Sequence, residues 1–320
     1  MILALAAVVA IAIVLPHLLR LERASPATAA TLWAGALGLR ALVGVFTALY
    51  VVLFMPATQL FDALTHWCWH SIVPLVTAHL GFSGHSVGDA MSTVPSMLLT
   101  ASAVSIGFGI WRGSRAVRRL LTHEAIGDGP AGSVIIGGAD VVVAAAGLAR
   151  PRLVVSAGAL ATLDDEELAA SLDHEHGHIA RRHRYVLLYA EVCRALGRFL
   201  PGTSSAVRAL GFELERDADV WAVRRPHDPF ALASAICKAA IPRSDRGPAL
   251  ASLGGSDVTR RVDELVAARQ PLSGSKVGAL NALALTGVTL VIALSAAVPL
   301  AVAAGSQRVG QSQTTHPCTG

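Results

Sequence analysis

In SLDHEHGHIARRH, residues 171–183, four histidines stand among charged residues in a chain that is 53% apolar. His174-Glu175-His176-Gly177-His178 fits the pattern H-E-x-x-H. On a helix, positions four apart differ by only about 40° around the axis, so His174 and His178 face the same way, one turn apart. That spacing suits two imidazole nitrogens on one Zn2+, one ion per chain, with Glu175 placed between them as general base for an attacking water. His176 points roughly opposite His174, and on a continuous helix His183 also falls on the far side. Short H-E-x-x-H matches arise by chance on charged helix faces, so the third ligand decides between chemistry and a solvated surface. The metzincin pattern would need Gly at 181 and His at 184, where this chain has Arg181 and Arg184.

A third ligand is available in ELERDADVWAV, residues 213–223. Glu215 and Asp219 are four apart and share a helix face. A carboxylate from Glu215 completes a His2Glu set and leaves a fourth position open. Asp219, a turn later, is placed to accept a hydrogen bond from the outer nitrogen of a ligating histidine, His174, and so to fix its tautomer. Glu213 and Asp217 offer the same spacing in another register. The apolar Val220, Trp221 and Val223 after Asp219 favour the Glu215 register.

These residues need elements to hold them. SVIIGGADVVVAAA (133–146) and RLVVSA (152–157) are β-branched runs separated by GLARP, which predicts a small sheet or hairpin. TLDDEEL at 162–168 predicts a helix start with Thr162 as N-cap and acids in the first turn. No proline follows until Pro201, so one long helix is expected through the histidines, broken at FLPGTSS (199–205). A second helix is expected over 206–224 and a third over about 229–240, followed by a more polar return over 242–276.

The composition places this domain in a membrane setting. With 15% charged residues and a mean hydropathy of +0.55, the chain cannot cover an ordinary globule with polar surface. Spans are expected at about 1–19, 41–60 (with Arg40 snorkelling at its cytoplasmic end), 93–111 and 278–304. The 61–92 loop has no Lys or Arg, whereas 22 of the 26 Lys and Arg, with 19 acids, lie between Arg112 and Lys276. Positive charge is retained in the cytoplasm, so the segment 112–276 is expected there and both chain ends outside. The fold class is therefore a multi-span α-helical membrane protein with a cytoplasmic α+β zincin-like metallopeptidase domain. Its parts are a three-span membrane region (1–111), the metallopeptidase domain (112–276) and a last span with a short external tail (277–320). The net charge of +4 is explained by this retention, and no direct nucleic-acid binding is expected. The cysteines show no CxxC pairing; Cys68 and Cys318 fall outside, where a disulfide could form. THWCWH at 65–70 reads as an interfacial aromatic belt.

With both motifs placed, the chain resembles the BlaR/MecR-type membrane zinc metallopeptidases. GLARPRLVVS looks like the strand before their catalytic helix, LDDEELAASLDHEHGHIARRH like that helix, and FLP with ELERDAD like the break and the ExxxD helix. The resemblance implies His174, His178 and Glu215 as zinc ligands, Glu175 as base and Asp219 behind the ligands. Asp173 and His183 depart from the pattern, standing where a small apolar residue and an acid are usual. Only residues 305–320 follow the last expected span, so β-lactam sensing does not carry over. HtpX-type membrane peptidases share both motifs and are the second assignment.

The function expected is a membrane-embedded zinc endopeptidase acting in the cytoplasm on a protein or peptide: a repressor, the chain itself or a membrane protein. Its other partner is the lipid bilayer. The strand Arg152, Leu153, Val154, Val155 is expected to align substrate by β-augmentation. A non-catalytic zinc-binding transducer is the rival from another class, and an intact Glu175 argues against it. A transporter is a third.

Overall fold

The computed structural model describes residues 10, 14, 17, 24–53, 86–241 and 255–267. The span expected over 278–304, nearly all of that over 1–19, the 65–70 cluster, Cys68 and Cys318 lie outside the described residues.

Gly137 and Gly138 interrupt the first β-branched run, with Gly138 at φ 127, so the run yields two strands. These are β2 (Val134–Ile136) and β3 (Val143–Ala146), preceded by β1 (Ala125–Asp128) and followed by β4 (Arg152–Ser156). Gly147, at φ 109, turns β3 into an antiparallel hairpin with β4, pairing Val143 with Val155 and Ala145 with Leu153. β2 runs parallel to β4 on its other side, and β1 pairs antiparallel with β2. The sheet order is β1-β2-β4-β3, so β4 is internal and β3 is an edge. Val154 and Val155 are buried, as an internal strand requires.

After β4 the short α3 (Ala157–Thr162) leads into α4 (Asp165–Ala180). The expected cap at Thr162 is displaced: Thr162 closes α3, and Asp164 caps α4. Asp164 accepts from Glu167 N at 2.8 Å, and Glu167 Oε2 accepts from Asp164 N at 2.9 Å, a reciprocal box. Asp164 wins because Glu167 stands three residues on. The Glu167 carboxylate also takes Ser234 Oγ and Lys238 Nζ, each at 2.6 Å, tying α4 to α7 (Pro229–Ala239).

The long helix expected through 200 is two helices. Arg182 adopts the left-handed conformation at φ 58, ψ 32, and the chain restarts as α5 (His183–Leu196). α6 (Thr203–Val223) follows the expected break, and α8 (Gly255–Val266) lies in the polar return. The expected polar segment after α7 thus holds a helix.

Two helices precede the sheet: α1 (Pro26–Leu53) and α2 (Ser86–His123). Ala29, Ala30, Trp33, Leu37 and Ala41 of α1 form one buried cluster with Ala190 and Cys193 of α5 and Leu210 and Leu214 of α6. Gly38 allows Tyr189 to come against α1, where its hydroxyl donates to Ala34 O at 3.2 Å. The second span was expected to begin after Arg40, but α1 starts at Pro26. Arg40 lies mid-helix, buried, donating to Ala36 O at 3.2 Å and beside His17 Nε2 at 3.0 Å. It does not snorkel, because the small residues around it dock α1 on α5 and α6. Among the described residues one helical stretch, Pro26–Phe46, is long and apolar enough to cross a membrane, and close to half of it is buried in the fold. The 93–111 stretch lies inside α2, where Met97, Val104, Phe108, Ile110 and Trp111 are exposed.

Candidate active site

α4 presents His174, Glu175 and His178 toward α6. Gly177 allows this approach: a Cβ there would lie 3.0 Å from Trp221 Cβ, so a larger residue would push the helices apart. The register then brings Glu215 under both histidines. His174 Nε2 and His178 Nε2 are 3.1 Å apart, and each is 3.5 Å from an oxygen of Glu215. Ligand atoms of the three residues all lie within 4.8 Å of one another. Two imidazole nitrogens and one carboxylate, on three sides of a common point, are the donor set zinc takes when a position is left open for chemistry. The residues fit the ion.

The alternative register does not face this point. Glu213 is buried against Arg216, whose Nη1 donates to it at 2.6 Å, and Asp217 is turned to His183. Asp173 points away as well: its Oδ2 meets His227 Nε2 at 2.7 Å, and Arg225 lies 3.4 Å from its Oδ1. It binds the turn before α7 and leaves the hydrogen bonding of His174 alone. His176 is partly exposed, 3.8 Å from Asp173.

Behind the ligands, Asp219 Oδ1 lies 2.9 Å from His174 Nδ1, a close charge contact that is not aligned as a hydrogen bond. Arg261 of α8 donates to both oxygens of Asp219 and lies 2.9 Å from Glu215 Oε2 through Nη1. Burial opposes charge on His174, but Asp219 and Glu215 outweigh it and raise its pKa to about 9. His178, lowered chiefly by burial, falls to about 4. Burial opposes charge on Glu215 too, yet His174 and Arg261 bring its carboxyl down to about 2. The Glu215 carboxylate is thereby ionised, as a cation site requires.

Glu175 stands beside this centre. Burial raises its carboxyl above the usual range, while the charge of His174 and the Ala145 N–H pull the other way. A carboxyl raised in this manner is suited to taking and returning a proton near neutral pH. Its Oε2 accepts from Ala145 N at 2.8 Å, which fixes the carboxylate against β3.

That bond also identifies the sheet edge at the site, and it is not the one expected. Val154 and Val155 have strand neighbours on both sides, Leu153 is buried and pairs with Ala145 of β3, and Arg152 lies at the exposed end of β4. With β2 on one side over Val154–Ser156 and β3 on the other over Arg152–Val155, β4 has no free edge along which to take a further strand. β3 is the edge, and the Ala145 N–H points outward to Glu175. Val143, two residues earlier, has the same orientation. A cavity of about 340 Å3 opens between β3, His174 and Glu175, lined on its far side by Leu232, Ile236, Ala239 and Val258.

Three features escaped the sequence reading. The β3 edge depends on β2 adding in parallel to β4, which neither strand's sequence announces. Arg261 lies far along the chain, and its only signal is the amphipathic period of GSDVTRRVDELV. The placement of His183 depends on the break at Arg182, which no Gly or Pro announces.

Residues 117–245 match the model for peptidase family M48. The matched segment carries His174, Glu175, His178, Glu215 and Asp219, and the match supports a metallopeptidase, a class that typically uses zinc. Arg261 lies beyond it. No curated protein and no solved structure matches the chain.

Proposed function

We propose that this protein is a membrane-embedded zinc endopeptidase that cuts peptide bonds on the cytoplasmic side of the cell membrane. The observation that carries it is the convergence of His174 Nε2, His178 Nε2 and the Glu215 carboxylate beside a Glu175 held to an open strand edge. Zinc, when bound, supplies Lewis acidity at the scissile carbonyl and makes water a better nucleophile. Glu175 accepts the proton of the attacking water and returns it to the leaving amine. The outward N–H and C=O groups of β3 hold the substrate extended, and the adjacent cavity takes an apolar side chain next to the scissile bond.

The membrane setting rests on α1, on the exposed apolar residues of α2, and on the arginines that follow them. Arg112, Arg115, Arg118 and Arg119 are exposed, and the guanidinium of Arg115 lies 5.2 Å from the Trp111 ring centroid, an arrangement suited to a headgroup layer. Regulatory cleavage of a repressor or of the chain itself is the role we assign. Quality-control cleavage of membrane proteins, the HtpX-type role, is the second reading, favoured by the family matched over 117–245.

The test uses full-length protein in detergent or nanodiscs, wild type beside Glu175→Gln. Both are expected to hold about one zinc per chain. Only the wild type should cleave a quenched peptide with a central Leu or Phe, the variant being slower by about 10^2-fold or more. Equal rates in the two proteins would remove Glu175 from the mechanism, and zinc-free wild type would remove the enzyme reading.

A further inference from the structure

His178 is a ligand with no carboxylate directly behind it, unlike His174. What stands there is His183. Its Nδ1 lies 2.9 Å from His178 Nδ1, the two rings nearly perpendicular at 80°, and its Nε2 lies 3.2 Å from Asp217 Oδ2. Both outer residues are buried, His183 at 3% and Asp217 at 6% exposure. Arg181 Nε is 3.7 Å from the same Asp217 oxygen.

Only one arrangement of protons satisfies this chain with neutral rings. A carboxylate can only accept, so His183 carries its hydrogen on Nε2 and leaves Nδ1 as an acceptor. His178 must then donate from Nδ1, which leaves the lone pair on Nε2, the atom facing His174 and Glu215. We infer that His183 and Asp217 form a positioning relay that fixes the tautomer and ring angle of His178 as a zinc ligand. Each histidine ligand is thereby backed by a carboxylate from α6, directly for His174 and through an imidazole for His178.

The backbone points the same way. Arg182 sits in the left-handed region, at φ 58 and ψ 32, which a residue with a side chain adopts only when its surroundings hold it there. The reversal is pinned by Arg182 N to Ile179 O at 3.2 Å and Tyr185 N to Arg182 O at 2.9 Å. Its outcome is that residue 183, which a continuous helix would turn away, comes back onto His178.

The relay rests on the zinc reading, and the test separates the two. Zinc affinity is measured on full-length protein by competition with a chromophoric chelator, together with the absorption spectrum of the Co2+-substituted form. His183→Leu removes the acceptor, and outer partners of this kind are worth about 10–100-fold in metal affinity. His183→Asn keeps an oxygen where Nδ1 stood but gives up the bond to Asp217, so it should lose clearly less affinity than His183→Leu and no more than Asp217→Ala. If the leucine variant does not fold, Asp217→Ala takes its place, expected to lose about tenfold because the His183 ring is no longer held. Wild-type affinity in a folded His183→Leu or Asp217→Ala overturns the relay alone. Loss in His183→Asn equal to that in His183→Leu also overturns it, since the acceptor would then be immaterial. Wild type that takes up no zinc overturns relay and zinc site together.

Discussion

Arg261 closes a fork on Asp219, with Nε 2.8 Å from Oδ2 and Nη2 2.7 Å from Oδ1. Asp219 is almost wholly buried, and burial alone would favour its neutral form. The guanidinium, with His174, holds its carboxyl below the usual range. α8 is therefore part of the site although it lies outside the matched segment.

Removing one partner of a buried pair leaves the other uncompensated. Arg261→Ala should destabilise the apo protein by on the order of 3 kcal/mol. Arg261→Lys should recover only part of that, because an ammonium lacks the planar fork. Denaturant or thermal unfolding of the three proteins checks both, and full recovery in the lysine variant would show that charge alone matters.

Zinc uptake should release a proton from His174. Its pKa is raised in the fold from 6.5 to about 9, so protonation stabilises the apo protein fully below about pH 6.5. That contribution fades as the pH rises through about 9. A ligand nitrogen must be free of its proton, so zinc binding at pH 7.5 should release about one proton, and affinity should rise about tenfold per pH unit until near pH 9. His178, at about 4, is already neutral and adds nothing. Calorimetry in two buffers of different ionisation enthalpy measures the release directly; none would mean that His174 is neutral in the apo state.

The β3 edge can be tested by deleting one donor. Val143→Pro removes an outward N–H that a bound peptide would use, and proline is tolerated at sheet edges. It should raise KM severalfold for peptide substrates, one hydrogen bond being worth about 1 kcal/mol, and leave zinc content unchanged. An unchanged KM would put the substrate elsewhere.

The cavity behind the edge is open to filling. Ala239 is exposed at its rim, so Ala239→Trp should occupy part of the roughly 340 Å3 without disturbing the ligands. Substrates with a central Leu or Phe should lose about tenfold or more in kcat/KM relative to those with Ala. Parallel losses across all substrates would mean that the cavity does not read side chains.

The parts of the site legible in the sequence are those written as a helical period. His174 and His178 share a face, as do Glu215 and Asp219, because spacing four converts directly into geometry. Elements whose position depends on distant contacts were not legible. Whether β4 or β3 is the edge is decided by β2 adding in parallel to β4, which leaves no trace in the alternation of either strand. The α4–α5 break rests on a left-handed arginine that no Gly or Pro announces, whereas the cap at Asp164 was open to reading, since Glu167 stands three residues after it.

The packing of α1 bears on how the enzyme can be prepared. Trp33 and Leu37 belong to the same buried cluster as Leu214, the immediate neighbour of Glu215. A soluble fragment cut at residue 112, where the basic segment begins, would strip this cover and bare the backs of α5 and α6. A fragment that keeps α5 and α6 packed as they are here therefore starts before Pro26 and carries α1 with it.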